Sequence, residues 1–251
     1  MMKILLVNDD GIEAPGIREL AFALKEDYEL CVVAPSSQRS GFSHSINYLS
    51  DIIVSKYEMR ELGDICAYAV SGTPADCTKI ALLSLFPDVD LVVSGINNGE
   101  NMGRDICYSG TFGAALEAAV YKKRAIAISC DNEGGEPAYA YAADFLKNFL
   151  KTADIEKLPV NVVTNINIPI LRDGKAKGVK ITRQAGMLYD ESYDVYEKDG
   201  QIFYKLIGTG FKPGEEGTDS WAVTNGYISI SPLKYDRTDE SSLPVLESII
   251  K

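Results

Sequence analysis

Short apolar blocks alternate along the chain with stretches whose apolar positions recur every three or four residues. KILLVN (3–8) is nearly continuous apolar, the pattern of a strand covered on both faces of a parallel sheet. In GIRELAFALKED (16–27), Ile17, Leu20, Ala21 and Leu24 share one helical face, with Pro15 near the start. YELCVVAP (28–35) is a second strand, stopped by Pro35, so the three segments predict a right-handed β-α-β crossover. After a polar loop, SSQRSGFSHS (36–45), INYLSDIIVSKYE (46–58) and DICAYAVSG (64–72) read as two strands of a hairpin around Leu62-Gly63. TPADCTKIALLSLF (73–86) opens as a helix, with Thr73 as N-cap, Pro74 at N1 and Asp76 at N3. Strands follow at 90–96, 125–130 and 160–169, separated by helical patterns at 111–123 and 140–150. The predicted fold class is α/β: a Rossmann-like, doubly wound, mostly parallel sheet in three layers.

Beyond residue 169 the pattern changes. KGVKITRQA (177–185) and the pair YDVYEKD and QIFYKLIG, turning at Asp199-Gly200, read as antiparallel strands. The tail DRTDESSLPVLESIIK (236–251) is polar, then apolar and helix-like. A single domain over 1–251 is expected, with a core at 1–175 and an extension at 176–251 carrying a β-hairpin and the tail. Left in solvent, SLPVLESII would expose its apolar side chains. Docking on a partner subunit and packing on the chain's own core are both open.

Composition narrows the function. The chain has 251 residues, 46% of them hydrophobic, which suits one α/β domain with an appendage or two small domains. No run approaches the roughly 20 apolar residues of a membrane span, and MMKILLVNDD lacks the features of a signal peptide. A cytoplasmic protein is expected. Cys31, Cys66, Cys77, Cys107 and Cys130 are scattered, without a C-x-x-C pair, and read as reduced core residues. His44 is the single histidine, so any metal needs oxygen ligands, which favours Mg²⁺ or Mn²⁺. The net charge of −11, without long basic runs, argues against an extended nucleic-acid surface. An anionic small substrate would need a local reversal of sign from a cation, a helix N-terminus or a placed arginine.

In open α/β sheets, ligands bind beyond the carboxyl ends of the strands. The first strand ends in Asn8-Asp9-Asp10-Gly11, the second leads to Arg39, Ser40 and Gly41, and DLVVSGI leads to Asn97 and Asn98. Two adjacent carboxylates repel one another, and a divalent cation relieves that. Two Asp, a Ser hydroxyl and an Asn carbonyl make a plausible partial shell for Mg²⁺. The plainer alternative is an Asp-Gly turn with Asp10 as a helix cap, Ser40 an ordinary loop serine and Asn97 a turn former. YSGTFGAAL (108–116) starts a helix where Ser109 and Thr111 can cap and backbone N–H groups could cradle a phosphate. Gly72-Thr73-Pro74 opens another helix in the same way. Walker, G-x-G-x-x-G and G-x-S-x-G motifs are all absent. Arg39 is a phosphate clamp or a solvated charge; His44 is a general acid or a loop histidine without a role.

Taken together, NDDGIEAPGI, VVAPSSQRSG, GTPADC, LVVSGINNGENMGRDICYSGTFGAALEA and GTDSWAVTNGYISISPL resemble the SurE family of metal-dependent nucleotidases, in order from residue 3 to about residue 233. The resemblance implies a Rossmann-like core whose C-terminal extension exchanges between subunits, giving homodimers or tetramers. It implies hydrolysis of nucleoside 5′- or 3′-monophosphates, and in some members of short polyphosphate. The metal ligands carry over to Asp9, Asp10, Ser40 and Asn97, for one divalent cation per subunit: Mg²⁺, Mn²⁺ or Co²⁺. The phosphate-facing loop carries over to Ser109, Gly110 and Thr111; His44 stands where the family often has histidine, and Arg39, Ser40 and His44 are the further candidates for binding the phosphate. Asp9, Asp10, Asn97 and Ser109 are the expected catalytic set; Asn98 and Glu100 receive no role. Attack by a water is favoured over direct attack by Asp9 or Asp10. A transferase and a non-catalytic nucleotide sensor are the rival readings.

Overall fold

The computed structural model describes residues 1–131 and 138–250; Lys251, the end of the expected tail, lies outside the described residues. β1 (Lys3–Val7), β2 (Glu29–Pro35), β4 (Cys66–Val70), β5 (Leu91–Asn98), β6 (Arg124–Cys130) and β7 (Val162–Ile168) run parallel in the order β4-β2-β1-β5-β6-β7. Each is short and rich in aliphatic and β-branched residues, and successive side chains point to opposite faces. Ile4 and Leu6 of β1 pack with α1 (Pro15–Leu24) and α4 (Tyr139–Thr152) on one face. Leu5 and Val7 pack with α2 (Pro74–Ile80) and α3 (Gly110–Val120) on the other. These two apolar clusters are the inner boundaries of a three-layer α/β/α sandwich, as the double-sided burial of the strand pattern requires.

The predicted hairpin is present but short. β3 (Val54–Tyr57) pairs antiparallel with β4, and residues 46–53 are not strand. The reason is local: α2 draws that segment away. Thr73 Oγ1 donates to the Ser45 carbonyl at 2.6 Å, and Asn47 Nδ2 donates to Asp76 Oδ2 at 2.7 Å. The predicted capping box of Thr73 and Asp76 is intact, with Pro74 in the first turn.

The C-terminal part returns to the main sheet. β11 (Ile228–Lys234) lies antiparallel to β7, and β8 (Val179–Ile181) lies outside it, completing the order β3-β4-β2-β1-β5-β6-β7-β11-β8. Contrary to expectation, β8 runs parallel to its neighbour β11. A long excursion and α5 (Asp219–Thr224) connect the two, so no tight turn forces them antiparallel. Asp219 ties this region to the core: its carboxylate accepts from the Gly103 and Ala185 N–H groups at 3.0 and 2.9 Å. β9 (Asp190–Lys198) and β10 (Gln201–Thr209) form the expected hairpin, a separate two-stranded sheet turning at Asp199-Gly200. Its strands carry no buried residue.

α6 (Leu243–Ile249) likewise buries nothing, so the tail does not pack on the chain's own core. All five cysteines are free, but only Cys31, Cys77 and Cys130 are buried; Cys66 and Cys107 are exposed, correcting their reading as core residues. Cys66 begins a strand near the sheet's edge, and Cys107 sits in a 3₁₀ turn ahead of α3. Among the described residues no helix is long and apolar enough to cross a membrane.

Candidate active site at the switch point of the sheet

Strand order reverses between β1 and β5: the chain moves outward from β1 through β2 and β4, then returns to β5 on the other side. Connections leave opposite faces there, and a crevice opens beyond the strand ends. Asp9 and Asp10 follow β1, and Asn97 lies at the end of β5. The structure therefore brings together residues that lie far apart along the chain.

Local chemistry sets each side chain. Wholly buried Asn8 closes the turn after β1: its Nδ2 donates to the Gly11 carbonyl at 2.8 Å, and its Oδ1 accepts from the Gly11 N–H at 3.1 Å. Gly11 has φ +105°, which favours glycine. α1 is capped by Ala14 with Pro15 in its first turn, so Asp10 is not its cap. Asp10 Oδ2 instead accepts from the Asn98 N–H at 3.3 Å. Asn97 Nδ2 donates to the Gly99 carbonyl at 2.7 Å, which turns its Oδ1 toward α3.

α3 meets the acids at its N-terminus. Thr111 is wholly buried; its hydroxyl donates to Asp9 Oδ1 and lies 3.1 Å from Asn97 Oδ1. A Cβ on Gly110 would fall 2.8 Å from the Asp9 Cβ, so only glycine lets the helix approach this closely. Burial raises the Asp9 carboxyl, against hydrogen bonds from Thr111 and from the Thr111 and Gly110 backbone. The anion at this helix start is thus Asp9 itself, and the Thr111 hydroxyl faces Asp9 and Asn97. Ser109 is the N-cap, its Oγ accepting from the Phe112 N–H at 3.0 Å. Burial, then the neighbouring Asp9 charge, pushes Asp10 up to about 6. Among the described residues neither carboxylate has an ion pair.

The third segment enters beside Asp9, where the Arg39 N–H donates to the Asp9 carbonyl at 2.7 Å. Ser40 follows directly, its Oγ accepting from Gln38 Nε2 at 3.2 Å. The Arg39 guanidinium donates to the Ser71 carbonyl at 3.1 Å and covers the Phe42 ring, and it makes no ion pair with either aspartate among the described residues. His44 Nε2 lies 2.6 Å from Glu117 Oε2, and Lys79 Nζ donates to Glu117 Oε1 at 2.9 Å. Burial works to raise the Glu117 carboxyl, but the bonds from His44 and Lys79 outweigh it and hold it low. The sequence reading missed Glu117, although a lone carboxylate inside GAALEAAV was a visible anomaly. It also missed the buried amides below the site: Asn165 and Asn167 both donate to the Asn101 carbonyl, fixing the loop after β5.

The fold and this gathering of oxygen atoms define a doubly wound α/β protein with an acidic cleft at its switch point. A family model described as survival protein SurE matches residues 4–191. The 5′-nucleotidase SurE of Clostridium botulinum is 40% identical over 251 residues, covering 99% of each chain. The 5′-nucleotidase SurE of Kosmotoga olearia is 41% identical, covering 98% of this chain and 97% of its own. A crystal structure of SurE protein from Aquifex aeolicus, 36% identical, matches with a TM-score of 0.85 over 99% of this chain and 100% of that one. The chain belongs to the SurE family.

Proposed function

We propose that this chain is a phosphoric monoester hydrolase that converts nucleoside 5′-monophosphates to nucleoside and inorganic phosphate, using one divalent cation. The observation that carries the reading is the convergence of Asp9, Asp10, Asn97 and the start of α3 at the switch point. Full-length relatives named 5′-nucleotidase support the reaction class. The residues fit a hard cation: two adjacent, desolvated carboxylates without a counter-ion among the described residues, an amide oxygen beside them, and a serine hydroxyl on the neighbouring loop. Asp9, Asp10, Ser40 and Asn97 would hold Mg²⁺, Mn²⁺ or Co²⁺.

A bound cation supplies neutralising charge for the phosphate and an acidified water. The chain's own groups do the rest. Thr111 and the Gly110 and Thr111 N–H groups orient Asp9. The Ser109 hydroxyl proton, unused by the cap, donates to a phosphate oxygen. Arg39 would reach the phosphate only by leaving the Ser71 carbonyl and the Phe42 ring, and His44 presents its Nδ1, since Glu117 takes Nε2. A water oxygen forms the new bond to phosphorus as it loses a proton, the bond to the nucleoside oxygen breaks, and the leaving oxygen gains a proton in its place, so one water is consumed per nucleoside released. The same geometry accepts 3′-monophosphates and short polyphosphate, because it grips only a terminal phosphate.

The functional unit is a homo-oligomer assembled through the C-terminal arm. Val245, Leu246 and Ile249 of α6 are exposed, and a second copy of this chain would cover them. The test of the activity is phosphate release from AMP, GMP, sugar phosphates and polyphosphate with Mg²⁺, Mn²⁺, Co²⁺ or EDTA. Release from AMP without any acceptor is expected and excludes a transferase; loss in EDTA is expected too. Asp9→Asn should abolish turnover and leave the fold intact. Turnover by Asp9→Asn in chelator would overturn the metal reading.

A further inference from the structure

A cavity of about 520 Å³ opens beside the switch point, beyond the ends of β6 and β7. Three observations place it along one edge. Asn98 pairs with Cys130 across β5 and β6, and the Gly99 N–H donates to the Cys130 carbonyl at 2.8 Å. The Asp131 N–H then donates to the Ile168 carbonyl of β7 at 2.9 Å. Glu100, three residues past Asn97, and Asp131 both line the cavity. Two strand spacings, about 10 Å, separate the β5 end from the β7 end.

The lining has an acidic part and an apolar part. Glu100 and Asp131 supply the first, and burial together with the Asp131 charge raises the Glu100 carboxyl. The second comprises Ile170, Val223, and the rings of Tyr189 and Phe211, whose centroids are 5.3 Å apart. Exposed Arg172, Lys175 and Lys177 also border the cavity together with Asp173, so the lining's three cations balance its three acids. An inorganic phosphate or a polyphosphate chain would meet two acids here, whereas a carboxyl pair is a natural partner for a sugar diol. Apolar and aromatic walls suit a flat heterocycle.

We propose that this cavity is the nucleoside pocket: Glu100 and Asp131 bind the ribose hydroxyls, and Tyr189, backed by Phe211, packs against the base. The order phosphate, sugar, base then follows the edge from β1 through β6 to the foot of the β9–β10 hairpin. This rests on the nucleotidase reading of the neighbouring site, and it adds the residues that recognise a nucleoside over another phosphomonoester.

The test separates the pocket from the phosphate site. Wild type, Glu100→Ala, Glu100→Gln and Tyr189→Ala are assayed on AMP, 2′-deoxy-AMP and para-nitrophenyl phosphate, after melts confirm that each variant folds. The wild type should prefer AMP over the deoxy substrate by about tenfold in KM, and the Glu100 variants should lose that preference. Tyr189→Ala should raise KM about tenfold for both nucleotides. Hydrolysis of para-nitrophenyl phosphate should stay within about twofold throughout. Equal losses on all three substrates, or an unchanged AMP KM, would overturn the pocket. Calorimetric titration with adenosine, which carries no phosphate, makes failure of the two readings distinguishable. Adenosine should bind wild type and Asp9→Asn and not Glu100→Ala; absent or variant-independent binding overturns the pocket. If adenosine binds as expected and no phosphate is released from AMP, the hydrolase reading falls while the pocket stands.

Discussion

Asp10→Asn in the metal-stripped protein should raise stability, although it removes a group proposed to hold the cation. Burial and the adjacent Asp9 charge lift the Asp10 pKa from 3.8 to about 6. A shift of about two units corresponds to roughly 3 kcal/mol between protonation states, and solvent screening at the half-open site reduces this to about 1–3 kcal/mol. The sign follows from linkage. A raised folded-state pKa leaves the Asp10 contribution intact below about pH 4 and removes it as pH rises through about 6. In EDTA the variant should therefore match wild type only below about pH 3.5 and exceed it at pH 8. For a chain of this size the gain is about 5 °C in Tm. The amide oxygen of asparagine can still accept from the Asn98 N–H, so the comparison isolates charge. Saturating Mn²⁺ should reverse the order, because only wild type keeps both carboxylates. Thermal melts across pH, with and without chelator, measure both effects. A variant less stable than wild type in EDTA at pH 8 would refute the argument that these carboxylates repel.

Other outcomes follow from single contacts. Gly110→Ala should lower kcat about 100-fold with little change in Tm, because the new Cβ must displace Asp9; steady-state kinetics check it, and near wild-type turnover counts against the close approach. Glu117→Gln and His44→Gln should each raise the Mn²⁺ concentration needed for half activation, since both loosen the loop bearing Ser40. Lys79→Gln removes the other bond to the same carboxylate and should lower Tm alone; an equal effect on metal activation would make Glu117 merely structural. Deleting residues 236–251 should reduce the mass measured by light scattering to that of the monomer, and an unchanged mass rejects docking through the arm.

The alternation of strand and helix was legible because burial on both faces makes each parallel strand continuously apolar, as in KILLV and LCVVA. The direction of β8 was not, because strand alternation is identical in parallel and antiparallel pairs, and its partner β11 is reached only after the β9–β10 hairpin and α5. The candidate site divides along the same line. Asp9, Asp10 and Asn97 stood out because each ends a strand, and strand ends in a doubly wound sheet share one edge whatever lies between them. What local pattern cannot express is which partner orients a side chain once it arrives. Asp9 and Thr111 are 102 residues apart, and only the packing of α3 against the sheet makes the threonine hydroxyl a donor to the carboxylate rather than an ordinary first-turn group. Glu117 illustrates the converse. In GAALEAAV every neighbour is apolar, so the helix must be buried, and a buried carboxylate must find hydrogen-bonding partners. His44 and Lys79 supply them from two other elements. A charge inside a segment whose burial is otherwise certain thus signals a long-range contact through its sequence context alone, which gives such anomalies more weight than the polar residues of loops.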